Sequence, residues 1–144
     1  MTQIDLSPTP DLAMKKYDLM QDINCRGSYL LAKTALPHLL ESDHAHVLTL
    51  SPPLNLNPKW AGEHLGYTIA KYGMSLTTLG LAEELKGDGI GVNSLWPRTT
   101  IATAAIEVNF PEAVLKASRK PDIMADAAHA ILRRDSRQAT GNFY

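Results

Sequence analysis

Ile90-Gly-Val-Asn-Ser-Leu-Trp96, closed by Pro97, is the stretch that decides how this chain is read. It is a short apolar run, rich in strand formers, and "PRTT" breaks it after Trp96. Parallel strands buried on both faces look like this. His46-Val-Leu-Thr-Leu50 is a second run of the same kind, followed by the Pro/Asn-rich loop "SPPLNLNPKWAGEH". Between the two runs, Ile69, Tyr72, Gly73, Leu76, Leu79 and Gly80 form one stripe of a helix over Leu65 to Lys86. "KGDG" stops that helix, with glycine at its C-cap. Two strands with a helix between them give an α/β layer with a parallel sheet.

The flanks fit that frame. Met20, Ile23, Gly27, Leu30, Leu31 and Thr34 recur at helical spacing. Thr9 and Pro10 read as the N-cap and first residue of this helix, which runs toward Leu40, and Pro37 bends or ends its last turn. A further helix is expected around Ile101 to Val108. "KPDIMADAAHAILRR" reads as another, with Asp122 near its start and arginines at its end, as the helix dipole favours. "ATGNFY" looks like the onset of a third strand. A sheet with only two complete strands has edges and faces that need cover. The chain is therefore expected to be part of a larger fold.

The 144 residues suit one domain. Hydrophobic residues make up 44% and charged residues 20%, a globular balance. Lys plus Arg number 14 against 15 for Asp plus Glu, so the net charge of -1 argues against nucleic acid or an anionic membrane as main partner. The N-terminal MTQIDLSPTPDLAMKK has no apolar run and does not read as a signal peptide. No stretch approaches the length of a membrane helix. The single Cys25 cannot form an internal disulfide, which suits a reducing compartment.

Chemistry is suggested by Tyr67-Thr-Ile-Ala-Lys71. A phenol and an ammonium one helical turn apart are common on amphipathic helices by chance. As a working pair, the ammonium should favour the phenolate and lower the tyrosine pKa, making it a proton donor and acceptor for an alcohol or carbonyl. Ser51 ends the first strand, and Pro97 to Thr100 end the second at the same edge. Open α/β sheets hold ligands at the carboxyl ends of their strands. Ser51 lacks a Gly-x-Ser-x-Gly elbow, so a hydrolase nucleophile is not expected. Asn24 sits mid-helix, where asparagine is a poor helix former and bends the backbone locally. His44 and His46 lie in a polar stretch without a carboxylate or cysteine at ligand spacing, so no metal site is expected.

Asn24 in the helix before the strand, Ser51 at the strand end, Tyr67-x-x-x-Lys71 on the next helix, then a strand and Pro97 together resemble the short-chain dehydrogenase/reductase family. "SPPLNLNP", "YTIAKYGMS" and "GVNSLWP" resemble its hydroxysteroid dehydrogenase-like branch. The resemblance covers about Leu6 to Tyr144. It implies a partial Rossmann-like parallel sheet with flanking helices, the N-terminal half of the fold being absent. It implies an NAD(P)-dependent oxidoreductase acting on a small-molecule carbonyl or alcohol, without nucleic-acid or membrane partners. Tyr67 would be the general acid/base, and Ser51 would polarise the substrate oxygen. Lys71 would lower the tyrosine pKa and hold the nicotinamide ribose. Asn24 would order a water leading to Lys71. Pro97, Ile101 and Thr103 would lie along the nicotinamide carboxamide. The family dimer implies a homodimer through the helices at Asp11 to Leu40 and Leu65 to Lys86. A cytoplasmic location is expected, or a peroxisomal or mitochondrial one in a eukaryote.

Several positions depart from the family pattern. The chain has no Gly-x-x-x-Gly-x-Gly loop and no Asn-Asn-Ala-Gly segment, so NADP or NAD is expected to bind it weakly or not at all. Arg98 stands where a glycine is usual, and Thr103 lies one position late. Two readings follow: an oxidoreductase, or a truncated form that binds or dimerises without redox turnover. A phosphate loop encoded in frame upstream of Met1 would favour the first.

Overall fold

The computed structural model describes residues 4–144. Met1–Gln3, the start of the stretch read above as free of a signal peptide, lie outside them. The elements, in chain order, are α1 (Met14–Gln21), a π-helical turn (Asp22–Arg26), α2 (Gly27–Leu40) and β1 (His46–Thr49). After them come α3 (Pro58–Gly62), α4 (Leu65–Glu84), β2 (Gly91–Ser94), α5 (Ala104–Asn109), α6 (Glu112–Ala117) and α7 (Asp122–Leu132).

β1 and β2 pair in parallel, with His46 opposite Gly91 and Thr49 opposite Ser94. "ATGNFY" does join the sheet. Gly141 N–H donates to Val92 O, Tyr144 N–H to Ser94 O and Trp96 N–H to Tyr144 O, each within 2.9 Å. Phe143 bridges Ser94 in parallel, so the C-terminus covers one edge of β2. The core lies where α4 crosses the sheet. Ala45, Ala82, Leu85, Ile90 and Val92 are buried together, backed by Leu36, Leu39, Val47 and Leu81. The β2 residues are buried throughout, as a strand covered on both faces should be. α7 packs against β1, where the His44 and His46 Nε2–H groups point at the carbonyls of Leu132 and Arg134, 2.8 and 3.0 Å away.

Four local expectations change. Thr9 and Pro10 do not start the first helix. Asp11 and Leu12 N–H close a turn onto Pro8 O, and the helix begins at Met14 after Ala13. Pro37 does not end α2, which runs on to Leu40. It sits on the exposed face, where solvent can serve the Lys33 carbonyl that proline cannot. The expected loop after β1 contains the short α3, capped where Asn57 Oδ1 accepts from Lys59 N–H at 3.0 Å, with Pro58 at its first position. The helix expected around Ile101 to Val108 is α5, which starts later, at Ala104, and Phe110-Pro111 separates it from α6, a further short helix that was not expected. The "KGDG" stop holds: α4 ends, and Gly89 turns the chain at φ 75° into β2.

Candidate active site

α4 carries the site because small residues let its inner face approach its neighbours. Gly73 meets the π-helical turn: a Cβ there would stand 2.6 Å from Cys25 Sγ and 2.9 Å from Cys25 Cβ. With that contact fixed, Tyr67 and Lys71 project from one face of α4 at the carboxyl end of β1, half-buried.

Two cavities meet at Tyr67. The first, of about 400 Å³, is lined by Pro52, Pro53, Trp60, Tyr67, Lys71 and Tyr72, with Trp96 at its border. The second, of about 420 Å³, contains Tyr67 and Trp96 again, with Pro97, Arg98, Ile101 and Thr103. Ile106 and Phe110 close it from α5 and the residue beyond. Tyr67 has no hydrogen-bond partner among the described residues, so its hydroxyl is free toward these spaces. The loop roofing the first cavity is held to α4 at two points. Ser75 Oγ donates to Pro52 O at 2.6 Å. The Tyr72 hydroxyl accepts from Asn55 N–H at 3.3 Å and donates to Asn55 O at 2.9 Å.

Lys71 turns its ammonium toward the Leu50 carbonyl, 3.4 Å away, and Met74 Sδ, 3.7 Å away. It also lies 5.8 Å from the Trp96 ring centre. Burial pushes the Lys71 pKa down from its usual 10.5. Burial likewise pushes the Tyr67 phenol up from 10.0. The expected lowering of Tyr67 by Lys71 is therefore not what this arrangement does. The ammonium faces the strand end and Trp96, and desolvation governs the phenol.

Ser51 is elsewhere. Its side chain is fully buried, 0% exposed, and does not line either cavity at Tyr67. Ser51 Oγ lies 2.9 Å from Ser94 Oγ and 3.3 Å from Thr49 Oγ1, which in turn lies 2.6 Å from Thr78 Oγ1. Ser94 Oγ also donates to Ser51 O. These hydroxyls join the ends of both strands to α4. The next residue, Pro52, is the one that reaches the cavity.

Asn24 lies in the π-helical turn, half-buried, with Nδ2 donating to Met20 O at 2.9 Å. It lines neither cavity at Tyr67. Pro97, Ile101 and Thr103 do come together with Tyr67, because Ile101 bridges Arg119 and folds the loop back. Sequence reasoning missed the aromatic walls. Trp60 and Tyr72 carry no motif, and only the turn of α3 and the face of α4 bring them to the site. Among the described residues, no group of three potential ligands could hold a metal ion, and no helix is long and apolar enough to cross a membrane.

A phenol that stays protonated near neutrality, facing apolar space on both sides, can donate a proton to a carbonyl oxygen held there. A family model described as enoyl-(acyl carrier protein) reductase matches residues 4–142. The chain is 56% identical over 140 residues to hydroxysteroid dehydrogenase-like protein 2 of Xenopus laevis, covering 97% of this chain and 33% of that protein. A crystal structure from Xanthomonas campestris superposes with a TM-score of 0.92 at 51% identity, over 99% of this chain and 52% of that one. A short-chain dehydrogenase from Mycobacterium thermoresistibile gives 0.87 at 46%, over 97% and 50%. At 21% identity, a short-chain dehydrogenase from Shigella flexneri complexed with NADP shares the fold, with a TM-score of 0.84 over 99% and 58%. The chain thus spans about a third of the curated relatives it matches and about half of the solved chains.

Proposed function

Because the chain belongs to the short-chain dehydrogenase/reductase family, we propose that it carries the proton-transfer site of a nicotinamide-dependent oxidoreductase interconverting an alcohol and a carbonyl on an apolar substrate. The observation that carries this is the free Tyr67 hydroxyl between two largely apolar cavities, with Lys71 on the same helix face.

The residues fit the nicotinamide end of NADP or NAD. Lys71 Nζ makes only long contacts within the protein, which leaves its donors for a ribose diol. Pro97, Ile101 and Thr103 supply the wall for a flat ring. The cofactor, when bound, supplies or accepts the hydride. Tyr67 donates its phenolic proton to the substrate oxygen in reduction and takes it back in oxidation. Its raised pKa keeps it protonated at neutral pH, which suits the donor role. Lys71 holds the diol and places positive charge on that side of the phenol. Trp60, Trp96 and Tyr72 exclude water from the reacting carbon. Asn24 acts through the π-helical turn that α4 packs on, and Ser51 through the hydroxyl chain beneath the cavity rather than by contact with substrate. Two copies associate through the apolar outer faces of α2 and α4, where Leu30, Leu76 and Leu79 are exposed. The lone Cys25 suits the cytoplasm.

The test is NADPH-dependent reduction of a panel of apolar aldehydes and ketones by the protein and by Tyr67→Phe. The same substitution is made at the aligned tyrosine of the Xenopus laevis relative. Turnover should fall at least about a hundredfold, with NADPH affinity, read by its fluorescence, within twofold. Unchanged turnover in both proteins refutes Tyr67 as the proton donor.

A further inference from the structure

We infer that the substrate presents a flat, uncharged ring system to the site, and that Trp60 selects it over a flexible chain. This rests on the oxidoreductase reading and names the substrate class of the same site. The second cavity takes the nicotinamide, against Pro97, Ile101 and Thr103, which leaves the first for the substrate, with Tyr67 common to both. The two cavities differ in kind. The second has aliphatic walls, with Leu6, Ile101 and Ile106 among them. The first, of about 400 Å³, has no leucine, isoleucine, valine or methionine among the described residues of its lining. Its apolar surface comes from Pro52, Pro53 and the rings of Trp60, Tyr67, Tyr72 and Trp96. No carboxylate among the described residues lines it, and its one formal charge, Lys71, is the group that serves the ribose. That lining suits an uncharged body.

These walls are also stiff. A proline ring has no rotamers to change, and aromatic side chains turn about two bonds only. The Tyr72 hydroxyl is held by both main-chain groups of Asn55, and Ser75 Oγ holds Pro52 O at 2.6 Å. A flexible chain is best followed by side chains that bend with it, as methionine does. Broad, rigid, flat surfaces instead favour a planar body, which gains ring contacts beyond the area it buries and loses no internal freedom on binding. Trp60 is the wall that the fold constrains least. It is 51% exposed on the five-residue α3. Its hold is through the main chain: its N–H donates to Asn57 O at 3.0 Å, and its carbonyl accepts from Thr68 Oγ1 at 3.3 Å. The indole makes no hydrogen bond among the described residues, so the ring is free to lie along a bound ligand.

The test is calorimetric binding to the full chain, without cofactor or turnover. Three ketones of equal carbon count serve as probes: acetylnaphthalene, which is flat, cyclododecanone, which is cyclic but puckered, and dodecanone, an open chain. The two saturated ketones are the more hydrophobic, so burial alone favours them. Acetylnaphthalene should nevertheless bind about fivefold tighter than either, the size of one or two ring contacts. Trp60→Leu should erase that preference, chiefly by weakening acetylnaphthalene, and Trp60→Phe should keep part of it. Equal or tighter binding of a saturated ketone overturns the inference. So does a preference that survives in Trp60→Leu, or a failure of every probe to bind. Tyr67→Phe should retain the preference while losing turnover, so the selection of a flat ring and the identity of the proton donor stand or fall separately.

Discussion

Replacing Ser51 with alanine distinguishes a structural hydroxyl from one that touches substrate. The substitution removes one oxygen from a fully buried site. It deletes a sound hydrogen bond to Ser94 Oγ at 2.9 Å and a long one to Thr49 Oγ1 at 3.3 Å. The partners are not orphaned: Ser94 Oγ keeps the Ser51 carbonyl, and Thr49 Oγ1 keeps Thr78 Oγ1 at 2.6 Å. The cost is therefore the net worth of the lost bonds rather than a full desolvation penalty, about 1–2 kcal/mol. With a urea slope of about 2 kcal/mol per molar, the unfolding midpoint should fall by roughly 0.5–1 M at constant slope. Trp60 and Trp96 report the transition. In catalysis, a donor aimed at the substrate oxygen is worth roughly a hundredfold or more in kcat. A hydroxyl beneath the cavity floor should cost less than about tenfold. A midpoint that does not move, together with a hundredfold loss of turnover, would refute the reasoning and return Ser51 to the substrate.

Three further outcomes are expected. Gly73→Ala drives a methyl into Cys25, where the built Cβ lies 2.6 Å from Sγ. Overpacking of about 1–3 kcal/mol outweighs the roughly 1 kcal/mol gained in helix propensity, so the melting temperature should drop by a few degrees, and Cys25→Ala should recover part of the loss. Stability should depend on alkaline pH in two opposed ways. The depressed Lys71 pKa means its buried ammonium disfavours folding below that pKa, so stability rises with pH up to its ordinary 10.5, and Lys71→Met abolishes the rise. The raised Tyr67 pKa means that the folded state holds the proton more tightly, so stability falls as pH climbs above 10.0, and Tyr67→Phe abolishes the fall; melts across that range read both, and opposite signs would refute the burial account. Leu76 is 60% exposed on the outer face of α4, so Leu76→Glu should shift sedimentation toward monomer without changing the melt, and an unchanged distribution would remove this face from the assembly.

The order of strands and the main helices was legible because period and punctuation agreed. His46–Thr49 and Gly91–Ser94 fall inside the expected runs, and Leu65–Glu84 follows the stripe through Ile69, Tyr72 and Leu76. The start of the first helix was not legible, because Thr9-Pro10 is equally good chemistry for a turn, and the chain uses it as one. At the site, the i, i+4 spacing placed Tyr67 and Lys71 on one face. What spacing could not give was direction. A serine just past a strand end can face either cavity or core, and here Ser51 is buried while Pro52 lines the cavity. Nor could it give the environment of the phenol. One turn of helix put the ammonium within reach, but Leu50 O and Trp96 drew it aside, leaving burial to set the Tyr67 pKa.

The grip of Tyr72 on Asn55 has a consequence for how such sites drift between species. Both hydrogen bonds go to main-chain atoms, so they are indifferent to the side chain at position 55. What they measure is distance along the chain: the loop must return the N–H and C=O of one residue to the same point on α4. Inheritance at this wall of the cavity should therefore act on the number of residues between Ser51 and Tyr67 and on the phenol at position 72, while composition within the loop is free to vary. Insertions there would move the roof of the cavity, and exchanges of one residue for another would merely repaint it.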